Sequence, residues 1–137
     1  PRQPSHKDVY KIMSQSDCGV FPARAEGWNL ELLEMMACGK TVITTNYSAH
    51  TEFCNSDNSL LINVDSLEQA EDGVFFSGSH GSWASFSESS KEQLIEHMIS
   101  VHELKQGSPH DLLNSKGIET AKRFTWHNSA KELLNGL

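Results

Sequence analysis

Positive charge is scarce in this chain of 137 residues: eleven Lys and Arg stand against eighteen Asp and Glu, for a net charge of −7. Binding along a phosphate backbone needs clustered cations, so nucleic acid is not expected as a partner. Long apolar runs are missing too, and no stretch approaches the roughly 18 residues of a membrane span. Pro1-Arg2-Gln3-Pro4-Ser5 leads into no apolar segment, so no secretory leader is read. The chain also lacks an initiating Met, and it is expected to be processed or cut from something longer. Cysteine is sparse and odd in number, with Cys18, Cys38 and Cys54 in no CxxC spacing. Free thiols in a reducing compartment suit this better than a disulfide framework or a zinc site, and the expected location is cytoplasmic. Seven histidines contain no pair at i,i+4, so neither a metal nor a resident cofactor is expected.

What is present alternates in the manner of an α/β protein. Lys7 to Gln15 reads as a short amphipathic helix through Val9, Ile12 and Met13, and Cys18 to Pro22 as a buried strand closed by proline. Leu30 to Cys38 reads as a helix stopped by Gly39, Thr41 to Thr45 as a β-branched strand, and Leu60 to Val64 as a third strand. Short links between these elements predict parallel strands joined by right-handed crossovers. Residues 77–90 hold seven serines and read as a Ser/Gly-rich surface loop, tacked down by Trp83 and Phe86. Glu88 to Lys105, Pro109 to Phe124 and His127 to Leu134 read as helices. The expected fold is therefore α/β. It is the second half of a Rossmann-like doubly wound parallel sheet, about three strands with helices on both faces, in a single partial domain over 1–137.

One segment carries chemistry: Phe21 to Glu52, FPARAEGWNLELLEMMACGKTVITTNYSAHTE. A polar turn at Ala23 to Gly27 separates the first strand from a helix opening near Asn29, a good N-cap. Gly27 allows close approach of a ligand to the backbone. The free N–H groups and positive dipole end around Trp28 to Leu32 then face a strand end, a setting suited to phosphate. On the helix that follows, Leu32, Leu33, Met35, Met36 and Ala37 cover most of the circumference, and Glu31 and Glu34 share one polar sector with Cys38. Glu34 stands some 6–8 Å along the axis from the N-cap, about the reach from a diphosphate to the hydroxyls of its ribose. A carboxylate there is a bidentate acceptor for vicinal hydroxyls. The same residues also fit an ordinary strand-to-helix turn and a solvated carboxylate on a buried helix.

Glu26-Gly27-Trp28-Asn29-Leu30, then Glu34-Met35-Met36-Ala37-Cys38-Gly39-Lys40-Thr41-Val42-Ile43, resembles the signature of group 1 (family 4) retaining glycosyltransferases of GT-B type, with Glu26 and Glu34 in the E-x7-E spacing. The likeness is concentrated over residues 7–65. Asp17 and Glu52 fit the pattern as well, and Gly81-Ser82-Trp83-Ala84 and Phe124-Thr125-Trp126 resemble later elements of some members. Lys40 replaces a usual Pro, Trp28-Asn29 a commoner Phe-Gly, and Ser48-Ala49 a frequent Gly-Gly.

The resemblance implies a C-terminal donor-binding domain of a two-domain enzyme. It would transfer a hexose from a nucleotide-diphosphate sugar to a glycan or lipid-linked acceptor without a metal. Glu26, in the catalytic role, would contact the donor sugar, the amides of Gly27, Trp28, Asn29 and Leu30 would meet sugar and diphosphate, and Glu34 would hold the ribose. Arg24 is given no donor role. The diphosphate-binding Arg and Lys and the acceptor-binding N-terminal domain are expected outside this chain, as is any peripheral membrane association. By itself the chain is expected to be inactive. A non-catalytic nucleotide-diphosphate binding module derived from such an enzyme, or a structural interaction domain docking through residues 88–105, are the alternatives.

Overall fold

A computed structural model describes residues 5–136, apart from the side chain of His80. The Pro1–Pro4 stretch, in which no leader is read, lies outside the described residues.

Helix α1 (His6–Gln15) leads into strand β1 (Cys18–Phe21), helix α2 (Leu30–Ala37), strand β2 (Thr41–Thr45), a 3-10 turn (Ser48–Glu52) and strand β3 (Leu60–Ile62). The three strands form one all-parallel sheet in the order β1-β2-β3, with Val20 opposite Ile43 and Thr44 opposite Leu61. Alternation along β2 sends neighbouring side chains to opposite faces. Val42 joins Leu32, Leu33, Met35, Met36, Phe53 and Cys54 on the α2 face, while Ile43 packs with Ile62, Val101 and Leu112 on the other. Both faces are thus covered by helices, and the α/β architecture is the expected Rossmann-like half. Gly39 ends α2 at φ 71°, where a Cβ would press on Leu113 and Ile118, so glycine is needed there on two counts. β3 stops two residues early because the side chain of Gln93 takes over the Asn63 N–H at 3.0 Å. Among the described residues no helix is long and apolar enough to cross a membrane.

Two expectations are overturned. Residues 77–90 are not a loop: β5 (Ser77–Ala84) pairs antiparallel with β4 (Leu67–Glu71), with a bulge between Gln69 and Glu71. Its turn is fixed by Asp72, whose Oδ1 accepts the N–H groups of Val74, Phe75 and Phe76 at 2.8–2.9 Å. Those three bonds hold the Asp72 carboxyl below the usual carboxylate range.

The single helix expected over Pro109 to Phe124 is instead a 3-10 turn (Pro109–Leu112) followed by α4 (Ser115–Ala121). Asn114 breaks it. Its Oδ1 caps α4 by accepting the Gly117 N–H at 2.7 Å, while its Nδ2 donates to the carbonyls of Lys40 and Asn58. Those bonds, with the Asn114 N–H on the Gly39 carbonyl, draw the chain back to the α2–β2 turn. Helix α3 (Glu88–Gly107) is present, but only Val101 of its apolar residues is fully buried, and Ile95, Met98 and Ile99 face outward. Helix α5 (Trp126–Asn135) closes the chain.

Candidate functional site

The loop after β1 is anchored before it reaches its polar residues. Trp28 lies against Phe53 and Phe124, each with ring centroids 5.2 Å away, so the turn into α2 is fixed to the aromatic part of the core. Contacts of this kind contribute about 0.5–1.5 kcal/mol each beyond area burial. Arg24 is fully engaged with the hairpin. Its Nε donates to the Ala84 carbonyl at 3.0 Å, its guanidinium stacks on Trp83 and pairs with Glu68, and its own carbonyl accepts the Ala84 N–H. The β4–β5 hairpin therefore stands at the carboxyl ends of β1 and β2, tied on the second side by the Tyr47 hydroxyl donating to the Ser82 carbonyl.

Asn29 has φ 69° and caps α2, its Oδ1 accepting the Leu32 N–H at 3.2 Å. Its amide nitrogen then donates to Nε2 of His50 at 2.9 Å, which requires that nitrogen to carry a lone pair. The imidazole proton is consequently on Nδ1, directed at the Thr44 hydroxyl (2.8 Å) and the Thr45 carbonyl (3.1 Å). His50 is 1% exposed. Burial pushes its pKa below the ordinary 6.5, against the opposing pull of the Thr45 carbonyl and the charge of Glu26. This neutral histidine joins the end of β2 to the start of α2.

Beside it, Ser48 clamps Glu26. Its hydroxyl donates to the Glu26 carbonyl at 2.7 Å and accepts the Glu26 N–H at 3.2 Å. Ser48 has φ 58°, and with Asn29 it makes up the described non-glycine residues at positive φ. A left-handed residue with a Cβ costs about 1–2 kcal/mol, so both are conformations that their side-chain bonds sustain.

Glu26 and Asn29 line a cleft of about 430 Å3 at the strand ends together with Phe21, Pro22, Ala23 and Glu31. Glu34 is not in that cleft. It lines a separate groove of about 250 Å3 between α1 and α2, with His6, Val9, Tyr10, Met13, Ala37 and Cys38. Glu31 and Glu34 are exposed and one turn apart, so a single polar edge of α2 runs from one depression to the other. Leu30 is exposed at the helix start, and a Cβ on Gly27 would meet nothing within 4 Å. Among the described residues, the N–H groups of Gly27, Trp28, Leu30 and Glu31 have no hydrogen-bond acceptor in the chain. No three His, Cys, Asp or Glu side chains gather as metal ligands among the described residues.

Sequence reasoning places Glu26, Gly27, Trp28, Asn29 and Leu30 in one turn into a helix, and the structure has that turn and helix start there. The same reasoning misses His50 and Ser48. His50 sits in no motif, and Ser48 was visible only as a departure from an expected Gly-Gly. Both act across more than twenty residues of sequence.

A family model described as glycosyl transferases group 1 matches residues 2–74, more than half of the chain, from α1 to the turn of the hairpin. A comparison with curated proteins finds no match.

Proposed function

The chain belongs to the group 1 glycosyl transferases, and from that premise we propose that it supplies part of the donor site of a retaining, family 4 enzyme that uses a nucleotide-diphosphate hexose. The observation that carries this reading is the cleft at the strand ends, which Glu26 lines together with Asn29 and Glu31 of the α2 opening, beside backbone N–H groups that have no acceptor in the chain. In this reading Glu26 contacts the hexose hydroxyls and acts in catalysis. The amides of Gly27, Trp28, Asn29 and Leu30 take the sugar and diphosphate, and Glu34 takes the ribose hydroxyls. The polar edge through Glu31 and Glu34 supports a ligand lying along α2, sugar in the larger cleft and nucleoside toward α1.

During transfer the bond between the anomeric carbon and the diphosphate oxygen breaks, and a bond to an acceptor hydroxyl forms on the same face. The proton of that hydroxyl goes to the departing phosphate. Charge collects on the diphosphate, where oriented N–H groups and the α2 dipole stabilise it without a metal. Arg24 is occupied by Glu68 and Trp83, so the cations on the leaving group belong to other parts of the protein. The acceptor, a glycan or a lipid-linked sugar, is held by a second domain outside this chain.

A thermal-shift panel with uridine, guanosine and adenosine diphosphates on the full-length protein tests the donor assignment. One diphosphate is expected to raise the melting temperature in wild type and to lose most of that effect in Glu34→Gln. Equal shifts in both proteins would remove Glu34 from the site.

A further inference from the structure

We propose that Ser48 is a positioning residue for Glu26, setting the carboxylate of that residue against the reacting sugar. The inference rests on the reading of Glu26 given above and concerns what fixes it.

Glu26 is exposed and lies in a turn between a strand and a helix, where the main chain has no ladder to hold it. Its neighbours on either side are anchored, Arg24 to the hairpin and Trp28 to the aromatic core. Between those anchors the described bonds to the Glu26 peptide come from one hydroxyl, which engages both its N–H and its carbonyl. Two bonds from one oxygen hold both peptide planes that flank the Glu26 Cα, and hence the direction in which the side chain leaves the backbone. Ser48 itself is held by its neighbours: its carbonyl accepts the Thr51 hydroxyl at 2.8 Å, Tyr47 is bonded to the hairpin, and His50 is bonded to Asn29.

The conformation at position 48 makes the choice of residue informative. A φ of 58° favours glycine, and no intrinsic preference places serine there. A glycine would adopt this backbone with less strain but would leave the Glu26 peptide unheld. Retaining a side chain at this φ therefore points to the hydroxyl as the requirement. In the reading above Glu26 meets the hexose while other groups take the diphosphate and nucleoside, so a loosened Glu26 affects turnover more than binding.

The test measures kcat, donor KM and melting temperature for full-length wild type, Ser48→Ala, Ser48→Gly and Glu26→Gln, using whichever of UDP-, GDP- or ADP-hexose the wild type turns over fastest. Ser48→Ala and Ser48→Gly are both expected to lose at least tenfold in kcat with KM within about threefold. Ser48→Gly is expected to melt no lower than Ser48→Ala. Wild-type kcat in Ser48→Gly would overturn the proposal, because the backbone alone would then suffice. So would a kcat loss that merely follows the melting temperatures. Unchanged turnover in Glu26→Gln would remove the role of Glu26 and the proposal with it, and an inert wild type would remove the transferase reading itself.

Discussion

Replacing His50 by Leu tests the join between β2 and α2. The side chain is almost fully enclosed, and leucine is close in volume, so the main loss is polar. Two bonds disappear, one from the Asn29 amide to Nε2 and one from Nδ1–H toward Thr44 and Thr45. Leaving a buried polar group unpaired costs about 1–3 kcal/mol, so two such groups cost about 2–6 kcal/mol here. A chain of this length unfolds with an entropy of about 0.3 kcal/mol per kelvin, which converts the loss to a fall of roughly 7–20 °C in melting temperature.

The same residue has a pH signature. Its folded pKa is depressed below 6.5 by burial. Its contribution is therefore complete above 6.5, declines as pH falls from there toward the folded value, and changes no further below it. Protonation would set an Nε2–H against the donating Asn29 amide, which cannot turn around without giving up the cap on Leu32. Melts followed by far-UV circular dichroism from pH 8 to pH 5 should show a falling curve for wild type and a flatter one for His50→Leu. The difference between the two isolates this histidine from the exposed ones. A melting temperature within 2 °C of wild type at pH 8, or identical slopes in both proteins, would refute the bonding scheme.

Further outcomes follow from the same contacts. Glu34→Gln removes charge-assisted bonds worth about 1.5–3 kcal/mol, so nucleotide-sugar affinity by calorimetry on the full-length protein should fall about tenfold or more while the melting temperature holds. Asn114→Ala loses a helix cap and two bonds to carbonyls, together about 3 kcal/mol, readable as a shifted urea midpoint with an unchanged slope. Cys18 and Cys54, both pushed up to about 11 by burial, should resist iodoacetamide at pH 7.5 in the folded protein by mass spectrometry, and rapid labelling of Cys54 would refute its enclosure.

The parts of the fold that can be read from sequence are those whose cause is local. β1, β2 and β3 are short apolar or β-branched runs bounded by turn residues, and α2 carries its own cap at Asn29 and its own stop at Gly39. The β4–β5 hairpin escapes such a reading because the described buried residues of its strands are the small Ala70 and Ala84. Without large apolar side chains the alternation has nothing to display, and serine and glycine imitate a loop. Asp72-Gly73 is the surviving signal, a dipeptide suited to a hairpin turn. The break at Asn114 is illegible for a different reason. Its side chain answers to Lys40 and Asn58, which are more than fifty residues away.

The site divides along the same line. Glu26, Gly27, Asn29 and Leu30 are placed by one turn and one helix start, so their proximity follows from sequence order. Ser48 and His50 reach them from the far side of β2, and only a parallel β1–β2 pairing brings the two loops to the same edge. Yet the chain marks the spot in another way. Left-handed backbone is sparse outside glycine, and Asn29 and Ser48 are the described non-glycine residues that adopt it. One caps the helix that opens on the cleft, and the other grips the carboxylate residue that lines it. Strain of this kind survives where surrounding bonds dictate the conformation, and here those bonds converge on Glu26 and the first turn of α2. A serine standing where glycine is expected is therefore informative in itself: it locates the point at which backbone ease has been exchanged for control over a neighbouring side chain.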